Sequence, residues 1–572
     1  MPIKALTSVL PGFQQLLSVL LPILALNLLL ILPSWFAWYQ QVQVAHSRAH
    51  WSAFALVWFS LDLLLITLVL FLTRAASFHS WIFAVCIGFY LLFWIYEMYA
   101  KMILILAHRK PLLYNDIFLL NDAVYLFADL LKSYWLILTV SLVVFMLSAG
   151  WLIPILFRVL DHGLQQLPAN LSRFWISLAV LAGIVLFHQV KHTRLSDAPG
   201  QLIAGRLRIN LQRSAALYKQ VHTPEFSTAF KRRMEKDLPH LTDKPDVYFF
   251  LVESYGAVLA THPHLRLPYR RLFREFEDSI AGPGWHTATG YSEAPVSGSG
   301  SWLSTASILS GVPIANQATY DYLTASFTPP LVRFFRENGY SSVLLEPASR
   351  ARPGLPLYNQ YHFDLVLSLK DLEFDDFPRF GWDLVPDQYS LAITEARWLQ
   401  GLTGPVFLYF PMVSSHAPWT ASTIPPFLES APGQRDFHKA YTLRGRDEGT
   451  APKTDTGFTE MYLAAIRYEF RVITDFLRHH SPEETLVVIM GDHQPPLITS
   501  EQDTYNTPVH ILSGDSTHLE PFKTVGFGPG MDSGNAEPGI THHAMMSIII
   551  AALSGDNGTT RRAGNIRTAQ FP

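Results

Sequence analysis

Four short stretches carry side chains that could do chemistry together. Glu253 follows the apolar run VYFFLV (247–252), in ESYG. Serines and glycines crowd SGSGSWLSTASILSG (297–311). His416 stands in SSHAPW after VFLYFPMV (406–413), and Asp492 and His493 stand in GDHQPP after TLVVIMG (485–491). Glu, Asp and His are ligands for a borderline or hard divalent ion, with Mn2+ and Zn2+ the leading candidates. Serine is a poor nucleophile at neutral pH until a base or a metal activates it, and a coordinated alkoxide is one solution. A serine that opens a helix also meets backbone N–H groups and the positive end of the dipole, which favour an attacked phosphate. Plain readings stand beside these. An acid after a strand can be a helix cap, a lone histidine can be a packed side chain, and SGSGS can be a loop with an N-cap serine.

The elements around these residues bear on the choice. From Pro245 onward, short apolar runs alternate with helical patterns. VYFFLV, SSVLLE (341–346), VFLYFPMV and TLVVIMG read as strands, with a weaker one in GWHTATGY (284–291). Helical patterns lie at 331–339, at 461–480 and in AMMSIIIAALSG. Alternation of this kind predicts a mostly parallel sheet covered on both faces. Ligands of such sheets bind at the carboxyl ends of the strands, so acid, hydroxyl, acid and imidazole converge on one edge. Ser301, just before the helical WLSTASIL, is the first choice of nucleophile and Ser299 the second. Gly298 and Gly300 would let the backbone approach a phosphate. Ser304, Thr305 and Ser307 read as helix packing, and one of His542 and His543 as a cap of the C-terminal helix or a lining of the site. RGRDEGTAPKTDTG (444–457) reads as a loop near the site.

The first two hundred residues have a different character. The 572-residue chain is only 16% charged, against about 25% in soluble domains. Its formal net charge of −3 argues against a nucleic-acid partner. Cys86 is the one cysteine, which excludes an intrachain disulfide. About five apolar runs are long enough to span a bilayer, near 15–38, 52–73, 80–106, 134–157 and 174–190. Trp and Tyr gather at several of their ends, as at a headgroup boundary. Basic residues fall in the loops of both sides, so charge bias does not orient the bundle. Glu97 and Lys101 are spaced to pair at i,i+4. The loop 108–131 reads as interfacial, and 200–240 as amphipathic basic helices. The expected organisation is a transmembrane helix bundle over 1–195, connecting helices over 196–245, a catalytic domain over 246–555 and a polar tail over 556–572.

Spans first, then ESYG, SGSGSW, SSHAPW and GDHQPP in that order: this chain resembles the lipoteichoic acid synthase and phosphoethanolamine transferase group of the alkaline phosphatase/sulfatase superfamily. The resemblance covers most of the chain and includes HRKPLLYNDIFLL, similar to a loop of the synthase branch. It implies an N-terminal bundle of about five transmembrane helices followed by an α/β sulfatase-like catalytic domain. It implies one divalent metal ion, Mn2+ or Zn2+, held by Glu253, Ser301, Asp492 and His493. Ser301 would be the nucleophile, His416 would stand near the phosphate, Trp302 would line the substrate, and Arg350 or Arg352 would grip the phosphate. The implied partners are a phospholipid donor, phosphatidylglycerol or phosphatidylethanolamine, and a glycan or polymer acceptor. The implied location is a bacterial inner membrane, with the catalytic domain on its outer, periplasmic side. Ser replaces the usual Thr at the nucleophile. The missing disulfides favour phosphoglycerol over phosphoethanolamine transfer, and SGSGSW does not fit the C/S-x-P-x-R frame of true sulfatases. A phosphodiesterase with water as acceptor, or an inactive membrane binding or transport protein, is the alternative.

Overall fold

The computed structural model describes residues 4–45, 60–107, 109–118, 140–141, 143–167, 202–241, 243–280, 284–349, 359–374, 380, 385–429, 437, 440–441, 455–496, 498–499, 504–532 and 537–555. The expected span near 174–190, the tail 556–572, Arg350, Arg352 and residues 444–454 lie outside them. The chain divides into two compact units, 1–43 with 48–218 and 44–47 with 219–572.

In the first unit the longer helices are α1 (Lys4–Ala45), α2 (Leu61–Thr73), α3 (His79–Ala107), α4 (Ile153–Gln165) and most of α5 (Ile203–Val221). Three stretches among the described residues are long and apolar enough to cross a membrane: Gln15–Phe36, His79–Ile105 and Val143–Gln165. The third runs further toward the C-terminus than the expected 134–157, because its polar end finds partners. His79 Nε2 bonds Asp161 at 2.9 Å, and Arg74 donates to the Leu164 carbonyl at 2.8 Å. Leu21, Leu24, Leu28, Leu32 and Phe36 stay exposed along α1, an apolar surface of the kind that marks a lipid contact. The buried acids are held by α5. Asp62 accepts the Ile203 and Ala204 amides at 2.7 and 3.3 Å, capping that helix, where the dipole favours an anion. Glu97 pairs with Arg206 rather than being left to an i,i+4 partner alone. Residues 109–118 of the expected interfacial loop are gripped by α5 side chains, with Leu113 N donating to Asn210 Oδ1 (2.8 Å) and Tyr114 N to Ser214 Oγ (3.1 Å).

The second unit is a nine-stranded sheet. In chain order its strands are β1 (Asp246–Val252), β2 (His286–Glu293), β3 (Ser341–Glu346), β4 (Leu365–Ser368), β5 (Val406–Pro411), β6 (Thr485–Gly491), β7 (Asn506–Ser513), β8 (Gly528–Pro529) and β9 (Ile540–Thr541). They lie in the order β4-β3-β5-β1-β6-β7-β2-β8, with β9 beside β2. The first five are parallel, and β7 runs against both β6 and β2. The continuous apolar run of β1 makes it a central strand, because both of its faces are covered. Tyr248, Phe250 and Val252 meet one core and Val247, Phe249 and Leu251 the other. The longer helices of this unit are α6 (Pro224–Met234), α7 (Arg266–Ile280), α8 (Ser301–Ser310), α9 (Gln317–Ser326), α10 (Pro330–Glu337), α11 (Asp387–Arg397), α12 (Asp455–Leu477) and α13 (Met545–Ser554). Residues of α7, α11 and α12 share the core of Tyr248, whereas α6, α8, α10 and α13 share that of Val247. The predicted strands and helices are present, and the sheet is mostly parallel as expected, with β7 the antiparallel strand beside β6 and β2.

Candidate metal centre and nucleophile

Adjacent strand ends deliver the acids. Glu253 follows β1, and Asp492 and His493 follow β6. The ends meet because Val252 pairs with Gly491. A Cβ on Gly491 would lie 1.8 Å from the Tyr255 carbonyl oxygen, so only glycine admits the ESYG turn here. Ser254 makes that turn at φ 56°, a left-handed conformation that costs a residue with a Cβ roughly 1–2 kcal/mol. It ties both acids in return: its amide donates to Asp492 Oδ1 (2.7 Å) and its hydroxyl to Glu253 Oε1 (2.8 Å).

Ser301 is the first residue of α8, after Gly300 at φ 91°. A Cβ on Gly300 would make only ordinary contacts, 3.5 Å to Leu303. Conformation, not room, therefore calls for glycine there. Gly298, at φ 76°, donates its amide to the Gln494 carbonyl (3.1 Å) and so ties the serine-glycine turn to GDHQPP. Ser301 Oγ donates to Glu253 Oε2 (2.8 Å) and lies 3.3 Å from His493 Nε2.

Glu253, Asp492 and His493 are buried, with ligand atoms within 4.8 Å of one another, a group that could hold a metal ion. His493 Nδ1–H donates to the Gln494 carbonyl (2.9 Å), which leaves the Nε2 lone pair toward the acids. That nitrogen is 3.4 Å from Asp492 Oδ2 and 3.7 Å from Glu253 Oε1. Ligands bonded at about 2.0–2.1 Å in a tetrahedron stand roughly 3.3–3.4 Å apart. Asp492 Oδ1 accepts the Ser254 and His493 amides (2.7 and 2.6 Å), but Oδ2 is buried with no donor. A buried acceptor without a partner is costly, and a cation supplies one. These residues fit a divalent ion, and nitrogen, carboxylate and hydroxyl ligands suit Zn2+ or Mn2+.

The electrostatics agree. Burial pushes the Glu253 carboxyl up, yet the His493 and His416 imidazoles outweigh it and hold it at about 2. Burial, and then the Glu253 charge, push Asp492 well above the carboxylate range. Burial pushes His493 down, against the Glu253 charge, which pushes it up. Two carboxylates this close and this buried do not both ionise without a positive charge between them.

The structure thus brings together Glu253, Ser301, Asp492 and His493, with His416 half-buried beside them on the turn after β5 and Trp302 half-exposed on the rim. Trp302 donates its indole N–H to Gln317 Oε1 (2.9 Å). Several supporting residues were not singled out for the site from the sequence. Ser304, read as helix packing, donates its hydroxyl to the Asp492 carbonyl (2.7 Å); its place one turn after Ser301 was the available signal. His542, which the sequence offers as a helix cap or a lining of the site, donates Nε2–H to the same carbonyl (3.1 Å) and takes the Ser292 hydroxyl at Nδ1 (3.0 Å). Burial pushes it down to about 3, so it is a neutral strut. Ser415 Oγ holds the Glu253 carbonyl at 2.7 Å. Glu346, which ends β3, has its carboxyl pushed up to about 7 by burial.

No protein-family model and no curated protein matches the chain. Solved structures do. The lipooligosaccharide phosphoethanolamine transferase A of Neisseria meningitidis, an integral membrane protein, is similar at 13% identity and a TM-score of 0.46 over 86% of this chain and 87% of that one. The lipoteichoic acid synthase of Listeria monocytogenes is similar at 14% identity and a TM-score of 0.36 over 58% and 78%. A phosphoglycerol transferase of Streptococcus pyogenes, in complex with sn-glycerol-1-phosphate, is similar at 15% identity and a TM-score of 0.33 over 61% and 90%. These are the groups that the motifs resemble. At such TM-scores the chemistry of the site rests on this chain's own side chains.

Proposed function

We propose that the protein is a membrane-anchored, metal-dependent transferase that moves a phospholipid head group through a covalent phosphoserine onto a glycan or polymer hydroxyl. One observation carries this reading: Ser301 Oγ opens a helix and points into a buried Glu–Asp–His group with a vacant carboxylate acceptor. The α8 N-terminus favours the anionic phosphate. Ser301 Oγ bonds to phosphorus, the bond from phosphorus to the diacylglycerol oxygen breaks, and His416 donates a proton to that leaving oxygen. The Ser301 proton departs along its bond toward Glu253 Oε2. In the second half-reaction the acceptor hydroxyl gives its proton to His416 and its oxygen bonds to phosphorus, the bond from phosphorus to Ser301 Oγ breaks, and Ser301 takes back its proton from Glu253. Glu253, Asp492 and His493, with Ser301, would hold the ion, Mn2+ or Zn2+. When bound, such an ion makes a hydroxyl more acidic and draws charge from phosphoryl oxygens.

Phosphoglycerol is the favoured group, since one cysteine leaves no disulfides; phosphoethanolamine is the alternative. Arg350 or Arg352 would grip the phosphate. The apolar helices suit a donor that lives in a bilayer, and the proposed setting is the outer face of a bacterial inner membrane. The protein is incubated with labelled phosphatidylglycerol or phosphatidylethanolamine and analysed by mass spectrometry. A head-group phosphate adduct on Ser301 is expected, and none on Ser301→Ala. Label that persists on the alanine variant overturns the assignment. Products formed with and without a glycan acceptor separate transfer from hydrolysis.

A further inference from the structure

Behind the turn that carries His416 lies a pair of acids that the chemistry above does not use. Asp387, the first residue of α11, and Glu469, in the middle of α12, are both completely buried. Asp387 Oδ2 accepts the Val413 and Ser414 amides, each at 2.7 Å, and the Asp387 amide donates to Ser414 Oγ (2.9 Å). The helix start thus clamps the backbone of the turn two residues before His416. Asp387 Oδ1 and both carboxylate oxygens of Glu469 have no donor. The groups that face them are each other, Ser415, and the neutral hydroxyls of Tyr441 and Tyr468; no cation pairs with either acid among the described residues.

Two carboxylates facing each other in a dry interior repel, and the state that satisfies their open oxygens is one proton donated from one to the other. We infer that Asp387 and Glu469 share such a proton, and that the neutralised pair is a positioning device which fixes the 412–419 turn and so aims His416 at the nucleophile. Burial supports this, pushing Asp387 up to about 6 and Glu469 well above the carboxylate range. The turn transmits the placement. Ser415 Oγ binds the Glu253 carbonyl, Trp419 Nε1 donates to the Ser415 carbonyl (2.7 Å), and Met412 N donates to the Leu251 carbonyl (2.9 Å). Loss of the clamp therefore frees the one turn that touches both His416 and the metal-site strand. The aiming of His416 rests on the proposed function; the shared proton does not.

The test uses the full-length protein in detergent and two readouts. Infrared spectroscopy at neutral pH should show a protonated-carboxyl component in the wild type and in Ser301→Ala that Glu469→Gln loses, leaving the part of the band that Glu346 and Asp492 contribute. An equal band in the wild type and in Glu469→Gln overturns the shared proton whatever the enzyme does. For turnover of labelled phospholipid, Glu469→Gln, whose amide N–H replaces the shared proton, should stay within about threefold of wild type. Asp387→Ala should lower kcat by about ten- to a hundredfold with KM little changed. A Glu469→Gln variant that folds, binds metal and yet loses as much as Asp387→Ala overturns the positioning role. A wild type that shows the band but no turnover with any phospholipid refutes the proposed function and the aiming with it, and leaves the shared proton standing.

Discussion

Asp492 has two oxygens with different fates, and that difference decides what the residue is for. Oδ1 takes two backbone amides, so it would be satisfied in a purely structural role, whereas Oδ2 faces His493 Nε2 across 3.4 Å with no donor. Replacing Asp492 by Asn keeps the Oδ1 bonds and turns the open oxygen into an amide that cannot hold a cation well. Elemental analysis should find about one metal ion per wild-type chain and next to none in Asp492→Asn, with Ser301→Ala in between. Unchanged stoichiometry would refute the ligand set. In the metal-free state the substitution should cost no stability. The amide needs no proton, whereas the Asp492 carboxyl is driven up by burial and by the Glu253 charge, so metal-free Asp492→Asn should melt no lower than metal-free wild type.

At the scale of elements, the site exists because strand ends and one helix start are forced together. Gly300 shows how narrowly that start is built. Its φ of 91° is the requirement, since the space around it is ordinary. Gly300→Ala should therefore cost about 1–2 kcal/mol, read as a lower urea midpoint, and should displace Ser301 enough to slow label transfer before any fold is lost. A variant as stable and as fast as wild type would mean that the turn tolerates the Cβ. The elements that were legible in the sequence are those written as continuous apolar runs: β1, β3, β5 and β6, and with them Glu253, Asp492 and His493 one or two residues beyond and His416 five beyond. β7 was not legible, because NTPVHILS places Asn, Thr, Pro and His inside a buried strand. Asp387, Ser304 and Glu469 were hidden for a similar reason. A polar residue in a helical pattern reads as solvent-facing, and only the tertiary structure shows all three without solvent contact.

The whole molecule combines long apolar helices, legible from length alone, with buried polar links that no local pattern reveals. Asp62 caps a helix 141 residues away, and Glu97 meets Arg206 across 109. The second unit carries its own long-range polar links, and they set its response to acid. His510 sits in β7 with no solvent contact, between the hydroxyls of Tyr255 (2.8 Å) and Thr289 (2.8 Å) and against the ring of Phe273. Burial pushes both His510 and His542 down from the ordinary 6.5 to about 3. An unfolded chain binds protons at these rings once the pH drops below about 6.5, whereas the fold refuses them until about 3. Their contribution is therefore complete above the ordinary histidine value and is lost as the pH falls through that window. Each unit of pKa difference is worth about 1.4 kcal/mol, so going from neutral to about pH 5 should weaken the fold by on the order of 2 kcal/mol for each histidine. His510→Gln keeps a donor and an acceptor between the two hydroxyls but cannot titrate. Urea unfolding followed by near-ultraviolet circular dichroism, at neutral pH and at about pH 5, should show a smaller loss for this variant than for wild type. Equal losses would mean that His510 is already protonated in the fold, with the Tyr255 and Thr289 hydroxyls both accepting from it.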